Sequence, residues 1–184
     1  MTRPSPSTGS LAINEKALEP EHPNTALALN NLAELYRTMG TYNKAEPLYR
    51  RSLTIWEKTL GPEHPNTATS LNNLALLYTS MGAYEKAEPL YRRALDINEK
   101  VLGPEHPNTA LALNSLASFY ATQGRNNESL VLMERSQGID HRQIEQILGF
   151  ASEAQQAQFL ATREVYLHVY LASSSSDSQT TPKP

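Results

Sequence analysis

The sequence predicts an all-α solenoid of antiparallel helix pairs. The hexapeptide Pro-Glu-His-Pro-Asn-Thr begins at Pro20, Pro62 and Pro104, a constant spacing of 42 residues. A fixed period of roughly 20 to 50 residues marks a stack of supersecondary units, each of which buries its apolar face on its neighbours. Within each period the apolar residues have helical spacing: Leu29, Leu32, Ala33 and Tyr36 stand at i, i+3, i+4 and i+7. Glycine and proline recur between these runs, where helices stop and start.

The elements follow in order. Leu11 to Leu18 aligns with Leu53 to Leu60, so it reads as the tail of a second helix whose beginning is absent; residues 1–10 are not repeat sequence and are expected to be disordered. In each full unit, Pro23, Pro65 and Pro107 suit the first position of helix A, where a missing N–H costs nothing. The preceding residues, His22, His64 and His106, are kept out of the helical region by the proline and so fall at the cap. Leu29-Asn30-Asn31-Leu32-Ala33 returns as Leu71-Asn72-Asn73-Leu74-Ala75 and as Leu113-Asn114-Ser115-Leu116-Ala117. Gly40, Gly82 and Gly124 end helix A as left-handed caps. Helix B runs from near Tyr42 to about Leu60, where Gly61 and Pro62 stop it. Pro47 and Pro89 fall in early turns of helix B and are expected to make its start irregular. Glu46 with Arg50 and Glu88 with Arg92 are i,i+4 pairs in the favourable order.

The third unit decays after Gly124, and the array is expected to span residues 11–142. Residues 143–171 form a different helical segment, in which Val165 to Leu171 alternates with some strand character. Ile144, Ile147, Leu148, Phe159 and Leu160 of this segment are expected to cover the C-terminal end of the stack. Residues 172–184 are rich in Ser, Thr and Pro and read as disordered.

Composition narrows the function. The 184 residues carry a net charge of −3, with no basic stripe, which argues against nucleic acid or an anionic membrane as partner. There is no cysteine, hence no disulfide, thiolate metal site or cysteine nucleophile, in keeping with a cytoplasmic protein. No apolar run reaches a membrane-spanning length.

Gly40, Tyr42, Ala45 and Tyr49, following Leu29, Leu32, Ala33 and Tyr36, resemble a tetratricopeptide (TPR) repeat. The 42-residue period, with Leu-Asn-Asn-Leu-Ala and Ala-Glu-Pro-Leu-Tyr-Arg-Arg, resembles the kinesin-light-chain type of TPR. The resemblance implies a right-handed solenoid with a concave groove lined by the A helices. It does not extend to a motor subunit, since no heptad region precedes the repeats. Ser152 to Thr162 is similar to the helical linker of bacterial TPR–CHAT proteins, in which a caspase-like peptidase domain follows. That second resemblance implies a bacterial origin and an alternative role as the separated regulatory arm of such a peptidase system.

The three cap histidines do not make a metal site. Zinc needs its ligands within about 2.1 Å, whereas equivalent residues of successive units lie at least a helix-packing distance apart, about 8–10 Å. Tyr36, Tyr49, Tyr78, Tyr91 and Tyr120 recur at packing positions. No nucleophile–base pair, phosphate loop or carboxylate pair can be placed on these faces, so neither catalysis nor a cofactor is expected.

The binding candidates are on helix A. Asn30, Asn72 and Asn114 come one residue after a packed leucine, with Asn31 and Asn73 beside the first two. An exposed amide offers donors and an acceptor, so a row of amides can hold an extended peptide backbone whatever its side chains; the alternative is that these asparagines cap or bridge neighbouring A helices. The resemblance supports the binding role, because such asparagines line the peptide groove in kinesin-light-chain repeats. Glu34, Arg37 and Leu76 complete the candidate groove. The expected partner is a protein or peptide. Self-association through the uncapped N-terminal half repeat is a further expectation, since an uncovered repeat interface exposes core.

Overall fold

The protein, seen in a computed structural model, is described over residues 21–149, with side chains to residue 146. Six helices follow one another: α1 (Pro23–Thr38), α2 (Tyr42–Thr59), α3 (Pro65–Ser80), α4 (Tyr84–Val101), α5 (Pro107–Thr122) and α6 (Asn126–Gly149). No strand occurs among the described residues. The odd-numbered helices are the A helices and the even-numbered ones the B helices. The chain divides into two compact units, residues 1–140 and 141–184. The expectations for residues 1–20 and 150–184, including the N-terminal half repeat, the strand-like run at 165–171 and the CHAT-type linker, lie outside the described residues.

The helix boundaries follow from the repeated punctuation. His22, His64 and His106 are the N-caps of α1, α3 and α5, with extended backbone, and the proline after each occupies the first helical position. Each imidazole Nδ1 accepts the N–H of the residue two further on, at 3.1 Å from Asn24, 3.1 Å from Asn66 and 3.0 Å from Asn108. The histidines therefore satisfy one of the helix's orphan donors, the role that Ser or Asp usually takes. Gly40, Gly82 and Gly124 have φ of 70°, 72° and 72°, the left-handed conformation that lets the chain reverse into helix B. Pro47 and Pro89 interrupt nothing: α2 and α4 are each continuous 18-residue helices with the proline inside.

Helix α1 packs on α2 and α3 on α4, α2 packs on α3 and α4 on α5, and α1 meets α3 and α3 meets α5 over short stretches. The core is a chain of linked clusters: Ala26, Leu29, Ile55 and Trp56 in the first unit, Ala68, Leu71, Ala94 and Ile97 in the second, and a larger cluster that runs from Ala33 to Ile139. Polar ties recur with the period. Thr67 Oγ1 donates to the Gly61 carbonyl at 2.9 Å, and Thr109 Oγ1 to the Gly103 carbonyl at 2.8 Å. Arg93 pairs with Glu57 at 2.8 Å, and 42 residues later Arg135 pairs with Glu99 at 2.7 Å. These last pairs are partly exposed and contribute little, typically below about 1 kcal/mol.

Candidate interaction face of the A helices

One stripe of α3 carries Thr69, Asn72, Asn73, Leu76 and Ser80, at spacings of three and four, and none of these is buried. The same stripe on α1 is Leu27, Asn30, Asn31, Glu34 and Thr38. On α5 it is Leu111, Asn114, Ser115, Ser118 and Thr122. Asn31 and Asn114 are exposed, and Leu27 and Leu111 beside them are exposed apolar side chains at 53% and 64%.

The amides do not all stand alone. Asn73 Nδ2 donates to Asn30 Oδ1 at 3.1 Å, so the first two units are joined by an amide pair. The row is thus offset: Asn30 meets the second asparagine of the next unit, not its own equivalent, Asn72. Forty-two residues on, the same geometry would join Asn72 Oδ1 to residue 115. That residue is Ser115, whose hydroxyl donates to the Leu111 carbonyl of its own helix at 3.0 Å. Asn72 Oδ1 is consequently buried with no hydrogen-bond partner.

Glu34 and Arg37 engage each other and the neighbouring B helix. Arg37 Nε donates to Glu34 Oε2 at 2.9 Å and Nη2 to Oε1 at 2.6 Å, a fork that leaves the Arg37 side chain only 20% exposed. The Tyr49 hydroxyl of α2 donates to Glu34 Oε2 at 2.6 Å. The Arg37 hydrogen bond, helped by that from Tyr49, holds the Glu34 carboxyl below the ordinary carboxylate range, while burial opposes them. In the second unit Leu76 and Thr79 stand in place of Glu34 and Arg37 beside the equivalent tyrosine, Tyr91, and the charged cluster has no counterpart.

A cavity of about 290 Å³ opens between α3 and α5, with α4 as its floor. Its walls include Asn72, Asn73, Asn98, Asn108 and Ser115, with Ala68, Ala94, Leu111 and Ala112. Sequence reading missed Asn98. The signal was a departure from the repeat at a core position: Asn98 aligns with Trp56, which is buried in the first unit. Among the described residues, no group of three or more His, Cys, Asp or Glu side chains could hold a metal, and no helix is long and apolar enough to cross a membrane.

Comparison with known proteins agrees with this architecture. The family model for the tetratricopeptide repeat matches residues 8–55, 28–100 and 80–142. A crystal structure of a candidate kinesin light chain of Podosopora anserina, with nearly identical TPR-like repeats, is 31% identical over 72% of this chain and 63% of its own, with a TM-score of 0.61. A single-substitution variant of that protein is 30% identical over 73% of this chain and 64% of its own, with a TM-score of 0.63. The chain therefore spans just under two thirds of those structures. BtubC (BKLC) from P. vanneervenii, 22% identical over 97% of this chain and 74% of its own, shares the fold with a TM-score of 0.67. Comparison with curated proteins gave no significant match. The matched repeats show that the chain belongs to the tetratricopeptide repeat family.

Proposed function

We propose that the chain is a protein-interaction scaffold that holds an extended partner peptide along the face of the A helices. TPR repeats serve protein binding in general, which supports the class. The observation that carries the finer reading is the stripe Asn30, Asn31, Asn72, Asn73 and Asn114, which repeats amides beside the exposed Leu27 and Leu111. Amides along the stripe hold backbone N–H and C=O groups, and exposed leucines receive apolar side chains, so affinity and selectivity come from different residues. Leu76 extends the apolar part. Glu34 and Arg37 form the border of the stripe as a self-paired edge.

The test uses a random peptide library displayed on phage and selected on the purified full chain, followed by affinities of the selected peptides in solution. Peptides N-methylated at alternate backbone positions are expected to lose about five- to tenfold per blocked hydrogen bond, and Asn114→Ala to weaken binding by a similar factor. Selected peptides that bind equally well to wild type and to variants with alanine at Asn31, Asn72 and Asn114 would overturn the reading.

A further inference from the structure

The second unit departs from the first around the cavity between α3 and α5, and four of these departures open the space. In the first unit the corresponding space holds Trp56, 8% exposed, together with Ser52 and Ser70, whose hydroxyl oxygens lie 3.5 Å apart. Ser52 also donates to the Ala26 carbonyl at 2.7 Å, and Asn73 closes the top by its bond to Asn30. In the second unit the equivalents are Asn98 for Trp56, Ala94 for Ser52, Ala112 for Ser70 and Ser115 for Asn73. Each replacement is smaller or withdraws a donor. The third unit restores one of the lost ties, since Ser136 donates to the Ala110 carbonyl at 3.1 Å.

The same replacements strand two acceptors. Asn98 is 7% exposed; its Nδ2 donates to the Asn108 carbonyl at 3.1 Å, and its Oδ1 has no partner. Asn72, which also lines the cavity, likewise has an Oδ1 without a partner. A buried amide oxygen without a donor costs free energy, so native proteins rarely keep two at one place without a use. Both oxygens are shut off from solvent while both residues line the cavity; the terminal torsion of asparagine is soft, so a turn of each amide would bring its oxygen toward an incoming donor.

We propose that this cavity is a subsite for a primary carboxamide, the side chain of a Gln or Asn in the bound peptide. A carboxamide nitrogen brings two N–H donors for two acceptors. A hydroxyl or an indole brings one and would leave an acceptor stranded. An ammonium or guanidinium would be enclosed by walls that hold no carboxylate, and a charge so placed is strongly penalised. The carboxamide oxygen has Asn73 Nδ2 within the same wall, whose second hydrogen is not the one given to Asn30. Ala68, Ala94, Leu111 and Ala112 cover the methylene stem.

The inference rests on the A-helix face being a peptide site, but its test does not. Propionamide is titrated into the ¹⁵N-labelled full chain and followed by NMR, beside 2-butanone, which has nearly the same shape and no N–H. Propionamide is expected to move the side-chain amide signals of Asn72 and Asn98 along saturable curves, and 2-butanone is not. Ser115→Asn supplies Asn72 with the donor that Asn73 gives Asn30, and is expected to weaken propionamide at least about fivefold. Asn98→Trp refills the space and is expected to abolish the shifts. Asn43→Ala, exposed on α2 and outside the cavity, should leave them unchanged. Equal response to both probes, no saturable response to propionamide, or full binding by Ser115→Asn would overturn the subsite. Any of these would leave the backbone clamp of the A-helix face standing.

Discussion

The Tyr78 hydroxyl of α3 donates to Glu46 Oε1 of α2 at 2.8 Å, and the same bond recurs 42 residues later from Tyr120 to Glu88 at 3.0 Å. In each case the carboxylate also takes an arginine from its own helix, Arg50 or Arg92. A B helix is thereby fastened to the A helix of the next unit by an ionised acceptor and a buried phenol, the stronger kind of hydrogen bond. That arginine also lies over the ring in both units, and the source of a second cation over each ring changes. Lys86 stands over Tyr78, with its nitrogen 5.4 Å from the ring centre. In the next unit that position is Glu128. Arg125, in the turn between α5 and α6, covers Tyr120 at 3.9 Å instead, and also pairs with Glu88 at 2.9 Å. The contact survives although the residue that makes it has moved.

Tyr78→Phe removes one donor to Glu46 and the acceptor of Arg50 Nη2, which lies 2.6 Å from the hydroxyl. The ring stays packed, so the loss is confined to the polar tie. Expected destabilisation is about 1.5–3 kcal/mol, the range for a hydrogen bond to a charged group. Thermal and urea unfolding of the variant check this; a change below about 0.3 kcal/mol would show that the junction is held by packing alone.

The same ties set an acid limit. The Tyr78 hydrogen bond, with Arg50, holds Glu46 below the ordinary carboxylate range, against desolvation. At Glu88 desolvation pushes upward but is outweighed by hydrogen bonds from Arg92, Tyr120 and Arg125 together. Glu34 is lowered by Arg37. A carboxyl depressed in the folded state contributes stability that is complete above its unfolded value, about 4.3, and is lost as pH falls through the folded value. Melting temperature is therefore expected to hold between about pH 7 and 5 and to fall below about pH 4. Tyr78→Phe should flatten that acid limb, because it removes the largest cause of the Glu46 shift. An acid limb that is as steep in the variant as in wild type would count against the assignment.

The helices were legible because the sequence repeats its own punctuation. The cap histidines, the first-turn prolines and the left-handed glycines each recur three times, and a local rule applied to one copy could be checked on the others. Pro47 and Pro89 misled in one respect: a rule for isolated helices foresees an irregular start, whereas packing holds α2 and α4 continuous. The stripe of amides was legible, as was bridging between neighbouring A helices as an alternative to binding; which asparagine meets which was not. That depends on how far one A helix is shifted along the next, and the shift pairs Asn30 with Asn73. The cavity was hidden for a related reason: alignment of the repeats draws the eye to residues that recur, and the cavity is made by those that do not.

Asparagines of one stripe are expected to separate by role. Asn73→Ala breaks the tie to Asn30 and should cost the unbound protein about 0.5–1.5 kcal/mol. Asn114 is exposed, and Asn114→Ala should change the unbound stability by less than about 0.5 kcal/mol while weakening peptide binding. Denaturant unfolding of both variants decides this. Equal losses would mean that the whole stripe is structural.

Ser115→Asn is expected to stabilise the unbound chain. It offers Asn72 Oδ1 the donor that the second unit lacks, at a helix position where Ser and Asn have similar propensity. A gain of about 1 kcal/mol corresponds to a rise of about 2–4 °C in melting temperature. A fall in melting temperature would show that the two A helices are not in the register that joins Asn30 to Asn73.

Protection against hydrogen exchange should be greatest in α3, between Leu71 and Tyr78. Stability along a repeat array is the sum of unit and interface terms, so a helix covered on more sides opens at higher cost. Helix α3 packs on α1, α2, α4 and α5, whereas among the described residues α1 packs on α2 and α3 only. Leu71, Leu74, Ala75, Leu77 and Tyr78 are all buried, while in α1 the equivalents of Leu77 and Tyr78, Leu35 and Tyr36, are exposed or half-buried. Exchange followed by mass spectrometry is expected to rank α3 above α1 by at least about 1 kcal/mol of opening free energy. Protection of residues 29–36 equal to that of residues 71–78 would show that α1 is covered on its outer side by something beyond the packing described here, and self-association through that end would then be the first thing to measure, by sedimentation across a range of concentrations.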